Sequence, residues 1–564
     1  MSIKETIRKW ASSPSISPFV PKIIVCLLEG YTKQTFMHDL LAGITVGIIA
    51  LPLAMAFSIG AGLDPEKGLY TAIVAGFLNS FFGGSRFVIG GPTGAYVILI
   101  FGVVQKYGYD GLMCATIQAA IMLFLLGILR CGTLIRFISY PVIVGFTTGI
   151  ALVLMVSQIN DFFGLQVPVK AADAVSRISN GIAYASTTNW YAVFIGAATL
   201  ALIVGFRKMS SRFPGVIVSL AITTGIATLF QFPISTIEST FGIIPAKLPS
   251  IHWPTISLEL VRQTFPDAVG IALLGAIESL LCAVIADSLA GTRHKSNCEL
   301  VAQGISNFGS ALYGGIPSTG AIARTTASMQ LNARTPFVGI FHSITLLILM
   351  LLLAPLASKI PLAALSSVLL FVAWNMLEIE HMKDLVKGHL GEALVMLITL
   401  SITILIDLNA AVQAGVILSI ILFLKRSSEA TTGKLLEAIE EDERISDAAL
   451  DGDGTWKYSL PADTKIYEIE GPFFFAVADL LSDVLSRFDT LPKTLILRMR
   501  SVPFIDSTAI NALKRFSAQC EAKGVRLVLA ELSPSVEKSL EEFHFFATFP
   551  KDRVISSIEG QLFK

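Results

Sequence analysis

Charged residues are scarce in this 564-residue chain, making up 15% of the sequence, against roughly 25% in soluble proteins. Lysine and arginine balance aspartate and glutamate at 42 each, so no surplus of positive charge points to a nucleic-acid partner. Hydrophobic residues account for 53% of the chain, and the mean hydropathy is +0.69. A globular core cannot bury that much apolar surface, so we expect a lipid bilayer to be the solvent.

Cysteine spacing gives no sign of a metal site or a disulfide framework. No cofactor is predicted, and no set of nucleophile, base and orienting residue predicts an enzyme. A secretory signal peptide is missing from the polar N-terminal stretch, so the first apolar run, near Leu40, should remain as a membrane span. The six cysteines are scattered and are expected to be plain buried thiols: Cys26, Cys114, Cys131, Cys282, Cys298 and Cys520.

About fourteen membrane segments are expected, because apolar runs long enough to cross a bilayer recur along the chain. Lysine and arginine clusters, such as Arg207 with Lys208, fall on one side for an even number of spans, which predicts that both termini are cytoplasmic. Eleven segments are long apolar runs, at residues 40–58, 68–83, 110–129, 138–158, 190–206, 214–231, 266–286, 336–354, 361–376, 392–407 and 410–424. Three more are short and rich in glycine, at residues 91–105, 299–313 and 318–332.

The chain divides into four predicted regions. They are a cytoplasmic N-terminal arm (1–38), a transmembrane domain (39–426, with repeats at about 39–231 and 266–426), an acidic linker (427–463) and a small domain (464–564). Strands and helices alternate in the last region, which predicts a small α/β domain. Its strands are expected at 465–469, 494–499 and 525–530, and its helices at 476–488, 507–522 and 534–543.

A glycine-rich motif occurs twice, at matching positions in the two halves of the transmembrane domain. One copy is Gly90-Gly-Pro-Thr-Gly-Ala95 and the other runs from Gly314 to Ala321. Paired short segments of this kind indicate a transporter binding site, because a helix that starts inside the membrane leaves N–H donors for an anion. The glycines would also suit tight helix packing alone, but the occurrence in register favours a site.

Two charged residues are expected inside the membrane. Arg324 lies one turn into the second short segment, so its side chain should lean back toward the site. An anionic substrate, a permanent ion pair or an interfacial position would each satisfy its charge. Glu278 follows Pro266 by 12 residues, about 18 Å along a helix, and so lies near mid-depth, where it could bind and release a proton. Asp287 is expected at the interface, and Asp267, Asp407 and His342 are interpreted as caps or helix-end residues.

Together these motifs resemble the sulfate permease (SulP) family of anion transporters over nearly the whole chain. The resemblance is carried by Asp39-Leu-Leu-Ala-Gly-Ile-Thr-Val-Gly47, Gly91-Pro-Thr93 and Gly320-Ala-Ile-Ala-Arg-Thr325. It implies two inverted repeats of seven segments, arranged as core and gate domains, a cytoplasmic STAS domain and a homodimer. It also implies a coupling acid at Glu278 and substrate-side positions at Thr93, Ala95, Ser318, Thr319, Ala321, Ile322 and Arg324.

Details of the motifs favour proton-coupled uptake of C4-dicarboxylates, such as succinate, fumarate or aspartate, across a bacterial inner membrane. Relatives that carry these substrates similarly read Gly-Ala-Ile-Glu-Ser-Leu-Leu-Cys around Glu278. Cyanobacterial bicarbonate carriers of the family hold sodium with Asp and Thr at the positions of Glu278 and Cys282, and a thiol is a poor sodium ligand. Sulfate or bicarbonate transport stays open as an alternative, as does a passive anion channel, whereas a membrane-anchored scaffold ranks last.

The C-terminal domain carries Val502-Pro-Phe-Ile-Asp-Ser-Thr508, which is similar to the strand-to-helix motif of STAS domains. Stand-alone relatives are phosphorylated on a Ser or Thr at this place, which makes Thr508 a candidate regulatory site. Asp506, Ser507 or Thr508 is also a good helix N-cap, and capping is the favoured interpretation. The resemblance further implies that this domain has a cytoplasmic partner.

Overall fold

The computed structural model describes most of the chain, in two compact units, residues 1–419 and 420–564. The described residues are 17–132, 139–168, 174–209, 215–247, 250–251, 253–388, 390–406, 408–429, 431–436, 463–475, 481, 484–488 and 490–558. Most of the acidic linker predicted at 427–463 lies outside the described residues, as does Asp407.

Apolar helices dominate the first unit. Seven of the described helical stretches are long and apolar enough to cross a membrane, and two shorter ones are also apolar. The helices up to the middle of the chain are α1 (Lys22–Glu29), α2 (Lys33–Gly60), α3 (Pro65–Phe82), α4 (Gly94–Ile128), α5 (Tyr140–Ser157), α6 (Ile159–Phe163), α7 (Ala174–Ala183), α8 (Trp190–Met209), α9 (Gly215–Leu229) and α10 (Ile237–Phe241).

The second half repeats this pattern of long and interrupted helices. It comprises α11 (Leu258–Ala290), α12 (Ser296–Leu312), α13 (Ile322–Gln330), α14 (Phe337–Ala357), α15 (Leu362–Met376), α16 (Ile379–Lys387), α17 (Leu390–Leu405) and α18 (Leu408–Glu429). Each of the fourteen predicted segments corresponds to one of these helices or, for α4, to one of its two parts. Gly108, with φ of 68°, breaks α4 into two membrane segments.

One boundary differs in a way that matters for the site. The sequence predicts a membrane segment that starts at Pro266, but α11 begins at Leu258 and contains Pro266. Ser257 caps the helix by accepting a hydrogen bond from Leu260 N at 3.1 Å, which fixes the earlier start. Glu278 therefore lies 12 residues before the helix ends at Ala290, again about 18 Å from an end.

The membrane helices form two groups that pack mainly within themselves. Helices α2, α3, α4, α11, α12 and α14 make one group, the core, and α5, α8, α9, α15 and α17 make the other, the gate. Small residues allow close packing in the core. A Cβ added at Gly43 would lie 2.6 Å from the Phe341 Cβ, and one at Gly47 would lie 2.9 Å from the Thr345 Cβ.

The second unit contains a five-stranded sheet in the order β3 (Thr432–Leu436), β4 (Thr464–Glu470), β5 (Thr494–Ser501), β6 (Arg526–Ala530) and β7 (Val554–Ile555). Strand β3 runs antiparallel to β4, and the remaining neighbours are parallel. Helices α19 (Ser507–Ala522) and α20 (Pro534–Glu542) match the predicted ones. Strand β3 lies inside the region predicted to be a linker. Its backbone pairs with β4 and forms one edge of the sheet. The predicted helix 476–488 is described only in part, where Val484–Arg487 forms a 3₁₀ turn.

Candidate anion-binding site

Two short strands hold the repeated glycine motifs together. Strand β1 (Gly90–Gly91) pairs antiparallel with β2 (Thr319–Gly320), with Gly90 opposite Gly320. Ala321 N donates to Ile89 O at 2.9 Å, and Ile89 N donates to Thr325 Oγ1 at 3.1 Å. Glycines permit this close approach, since a Cβ on Gly320 would lie 2.8 Å from Val88 Cγ1.

Each short strand leads directly into a helix that begins inside the protein. Helix α4 starts after Thr93 and α13 starts after Ala321, and no side chain caps either start. Uncapped helix N-termini present N–H groups and a partial positive charge, so they suit an anion. The antiparallel pairing of β1 with β2 brings these two starts together across the first unit.

A single carboxylate oxygen bridges the two places where a short strand leads into a helix. Glu278 Oε2, on α11, accepts hydrogen bonds from Thr93 Oγ1 at 3.1 Å and from Thr319 Oγ1 at 2.8 Å. The neighbouring Ser279 Oγ accepts a bond from Gly320 N at 3.0 Å. The structure therefore brings Glu278, Thr93 and Thr319 together, and any change in the charge of Glu278 is felt by both helix starts.

The Arg324 side chain reaches across from α13 to the other motif. Its Nη2 donates to Pro92 O at 3.1 Å, and Nη1 lies so close to Gly91 that a Cβ there would overlap it. The residue is only 4% exposed, so it does not reach an interface. Within the described ranges, no carboxylate lies within 4.0 Å of the guanidinium and Nη1 has no hydrogen-bond partner. A buried guanidinium with a free edge is suited to an anionic ligand.

The other predicted substrate-side residues surround these groups. Ala95 and Ala321 are buried at the two helix starts. Both backbone groups of Ser318 are held by the Asn307 side chain at 2.8 and 2.9 Å, while its own buried hydroxyl has no partner among described atoms. Ile322 packs against Val88, Cys282 and Ala283, a small apolar cluster. Cys282 Sγ in turn donates to Thr325 Oγ1 at 3.3 Å.

Apolar side chains lie over the start of α4. A Cβ on Gly94 would lie 3.2 Å from Met376 Sδ, 3.5 Å from Leu154 Cδ2 and 3.5 Å from Phe57 Cε1. Met376 and Leu154 belong to the gate helices α15 and α5. The candidate site therefore lies between the polar helix starts of the core and an apolar surface of the gate.

A buried polar network behind the site was missed from the sequence. Glu299 Oε2 accepts bonds from Gly84 N at 2.9 Å and Ser85 N at 3.1 Å, and Gln303 Nε2 donates to Asn79 Oδ1 at 3.0 Å. Glu299, Gln303 and Asn307 recur every four positions on α12 and so share one helix face. This four-residue spacing was the feature of the sequence that could have predicted the network. The network fixes the loop before β1 and the residue before β2.

Some predicted minor roles change in the structure. Asp267 and His342 are buried inside α11 and α14 instead of lying at helix ends. Asp287 lies in the last turn of α11, where it accepts bonds from Thr292 Oγ1 and His294 N, both at 2.7 Å. In the second unit, Asp506 is the N-cap of α19, bonded to Ala509 N at 2.8 Å, and Thr508 is exposed. Among the described residues, no three His, Cys, Asp or Glu side chains are grouped so that they could hold a metal ion.

Comparison with known proteins assigns these features to a family. The model of the sulfate permease family matches residues 36–399, which is more than half of the chain, and the STAS domain model matches residues 458–559. The chain belongs to the sulfate permease family. It is 38% identical over 527 residues to YvdB of Bacillus subtilis (strain 168), named as a sulfate transporter, covering 92% of this chain and 96% of that protein.

Other known proteins and solved structures are also similar to most of this chain. The bicarbonate transporter BicA of Picosynechococcus is 28% identical over 538 residues, covering 93% of this chain and 94% of that protein. The solved transmembrane domain of a cyanobacterial BicA, at 29% identity, matches 68% of this chain and 98% of its own, with a TM-score of 0.62. The structure of the murine Slc26a9 anion transporter covers 99% of this chain and 94% of the Slc26a9 chain, with a TM-score of 0.84. The two sequences are 20% identical, so this match shows the fold alone.

These findings establish several of the expectations from the sequence. The protein is a multi-pass membrane transporter of small anions and is not an enzyme. Its fold has about fourteen membrane segments in two inverted seven-segment repeats, with core and gate domains and a C-terminal STAS domain.

Proposed function

We propose that this protein is a secondary active transporter that takes up C4-dicarboxylates together with protons across the bacterial inner membrane. The observation that carries the proposal is the position of Glu278, whose one carboxylate oxygen accepts hydrogen bonds from Thr93 and Thr319. These hydroxyls lie at the two strand-to-helix connections whose helix starts would bind the anion. A proton on Glu278 and an anion at the helix starts would therefore affect each other directly.

Charge balance supports coupling of a proton to a dianion. Each helix start contributes roughly +0.5 charge, and Arg324 contributes one full positive charge, which together gives about +2. An ionised Glu278 reduces this to about +1, whereas a protonated Glu278 restores about +2. A dicarboxylate with two negative charges is thus best balanced when Glu278 carries a proton, which is the condition for symport.

Proton binding also changes the hydrogen bonds at the site. An ionised carboxylate only accepts hydrogen bonds, whereas a protonated one donates through its O–H. The hydroxyls of Thr93 and Thr319 both donate to Glu278 Oε2 when it is ionised. Protonation would free these hydroxyls to turn toward the substrate. In this mechanism Arg324 and the backbone N–H groups of Ala95 and Ile322 bind one carboxylate, beside Ala321 and the Ser318 hydroxyl.

Sulfate and bicarbonate are the second candidates, because relatives are named as transporters of these anions. Sulfate is a dianion and meets the same charge balance as succinate. Bicarbonate has one negative charge and would match the site with Glu278 ionised. The apolar cover over Gly94, made by Met376, Leu154 and Phe57, favours alternating access over a passive channel.

The arrangement in the cell is part of the proposal. The lysine and arginine bias favours cytoplasmic N- and C-termini, and the family resemblance favours a homodimer. The STAS domain would then meet a partner in the cytoplasm. Phosphorylation of Thr508 is a subordinate hypothesis, supported by its exposure at the start of α19.

The test is uptake of labelled succinate into proteoliposomes, with and without an inward proton gradient. We expect gradient-driven accumulation in the native protein and none in Glu278→Gln, because an amide carries no exchangeable charge. Glu259→Gln, an exposed change on the same helix, is the matched control and should behave as the native protein. Gradient-driven accumulation that persists in Glu278→Gln would show that the proton binds elsewhere.

Sulfate and bicarbonate, added as competitors and as labelled substrates, decide the specificity. Succinate uptake inhibited only weakly by either anion would support the dicarboxylate assignment. Transport of sulfate or bicarbonate without succinate would move the protein to another substrate class, with the same site. Ion currents that persist without saturation would instead indicate a channel.

A further inference from the structure

A cleft on the gate domain is separate from the anion site. It has a volume of about 760 Å³ and lies between α5, α8 and α15. Its walls are apolar, formed by Leu200 and Val204 of α8 and by Leu370 and Phe371 of α15. Met376 is five residues beyond Phe371, about one and a half turns along α15, and reaches Gly94 instead. The cleft therefore lies on a different face of α15 from the one that covers the anion site.

The polar end of this cleft coincides with the end of a membrane span. Helix α8 has 20 residues and so is about 30 Å long, the thickness of the hydrocarbon layer. Arg207 and Lys208 occupy its last turn and line the cleft. Trp374, which lines the same end, is 63% exposed, as is usual for tryptophan at the level of lipid headgroups. The cleft thus extends from the hydrocarbon layer to the headgroup layer.

Two cations lie at this end, of which Arg207 is held in place, and neither is neutralised. The Arg207 guanidinium carbon lies 5.3 Å from the centroid of the Phe371 ring, and Nη1 donates to Asn375 Oδ1. In the part of the chain that the structure describes, neither Arg207 nor Lys208 has a carboxylate within ion-pair distance. An oriented arginine beside a lysine suits a phosphate group.

We propose that this cleft binds one anionic phospholipid, such as phosphatidylglycerol or cardiolipin. The acyl chain lies along Leu200, Val204 and Leu370, and the phosphate meets Arg207 and Lys208. Basic pockets between membrane helices at the headgroup level are suited to such lipids. A zwitterionic lipid would bring its own cation next to two uncompensated positive charges, and a soluble phosphate would leave the apolar walls empty. An anionic lipid covers the apolar walls with its acyl chain and neutralises the two cations with its phosphate.

The experiment measures lipid binding by native mass spectrometry on the delipidated full-length protein. Phosphatidylglycerol and phosphatidylethanolamine of equal chain length are titrated against the native protein and Arg207→Gln/Lys208→Gln. We expect the double variant to bind phosphatidylglycerol at least about tenfold more weakly, given about 1 kcal/mol for each basic residue near the surface. Lys383→Gln/Lys387→Gln, which removes the same charge from α16, is the matched control and should bind it as the native protein does.

A second variant tests the apolar part of the site. Leu200→Trp fills the cleft but keeps both cations, so it should also lose tight binding of phosphatidylglycerol, while a thermal unfolding midpoint equal to that of the native protein shows that the variant is folded. Equal affinity for phosphatidylethanolamine and phosphatidylglycerol in the native protein would overturn the proposal. Equal thermal stabilisation by inorganic phosphate would overturn it as well, because the site would then bind the free anion. Equal loss in the α16 control would show a general charge effect and also contradict the proposal.

Discussion

At the scale of single residues, the site depends on charges placed where neither water nor a fixed counterion neutralises them. Arg324 is buried, and no described carboxylate pairs with its guanidinium. A charge in the membrane interior is costly unless something compensates for it. The carbonyl of Pro92 compensates in part, through one hydrogen bond. The remaining free edge makes the anion itself the natural partner.

Replacing Arg324 tests that argument. In Arg324→Ala we expect the half-saturating anion concentration to rise about ten- to a hundredfold, since hydrogen bonds to a charged group contribute about 1.5–3 kcal/mol. Arg324→Lys keeps the charge but not the fork of donors, and should lose less. Concentration-dependent uptake at constant protein amount measures both. Equal loss in the two variants, with folded protein in each, would assign Arg324 a structural role.

At the scale of elements, the starts of helices α4 and α13 depend partly on local sequence and partly on tertiary contacts. Glycine and proline in the repeated motifs stop one helix and start another, which is readable from the sequence. The pairing of β1 with β2 is a contact between residues more than 220 positions apart, and only the fold provides it. In the STAS domain the start of α19 is likewise determined by neighbouring residues, because Asp506 caps it.

The cap at Asp506 gives a prediction for the STAS domain. Its carboxylate accepts from Ala509 N at 2.8 Å and from Phe475 N at 3.0 Å. Asp506→Ala should lower the free energy of local opening at α19 by about 1 kcal/mol, which corresponds to about fivefold faster amide exchange. Hydrogen exchange of the full-length protein measures this. Thr508→Ala is the control and should leave the exchange unchanged. Equal acceleration in both variants would mean that Thr508 contributes to the cap.

At the scale of the whole transmembrane unit, transport requires the core to move against the gate. The two groups meet at Gly60, where a Cβ would lie 3.1 Å from Val97 Cγ1 on α4 and 3.2 Å from Leu369 Cδ1 on α15. Such a contact between packed elements must break and re-form during alternating access. Fixing it should hold the transporter in one state.

Cross-linking tests that requirement. In Val97→Cys/Leu369→Cys, a reducible bifunctional thiol cross-linker should join α4 to α15 and stop anion uptake, and a reducing agent should restore it. The native protein and each single variant, treated identically, control for modification of the six native cysteines. Peptide mass spectrometry confirms the cross-link. Full uptake by the cross-linked protein would show that α4 and α15 do not separate during transport.

The membrane class, the number of segments, the repeated motif and the α/β character of the last domain could all be predicted from the amino-acid sequence. These properties depend on composition, hydrophobic run length and local turn chemistry, which are encoded by neighbouring residues. The sequence also indicated Glu278 and Arg324, because charged residues are rare in apolar helices.

The partners of these residues are set by the fold and could not be predicted from the sequence. That Glu278 bonds Thr93 and Thr319, that Arg324 faces Gly91 and Pro92, and that Phe57, Leu154 and Met376 cover Gly94 all depend on long-range packing. The early start of α11 and the strand β3 were missed for related reasons. The Ser257 cap starts α11 before Pro266, and β3 becomes a strand by pairing with β4 at the edge of the sheet. Contacts between distant segments follow from the geometry of the fold, whereas local periodicity determines only the elements that make them.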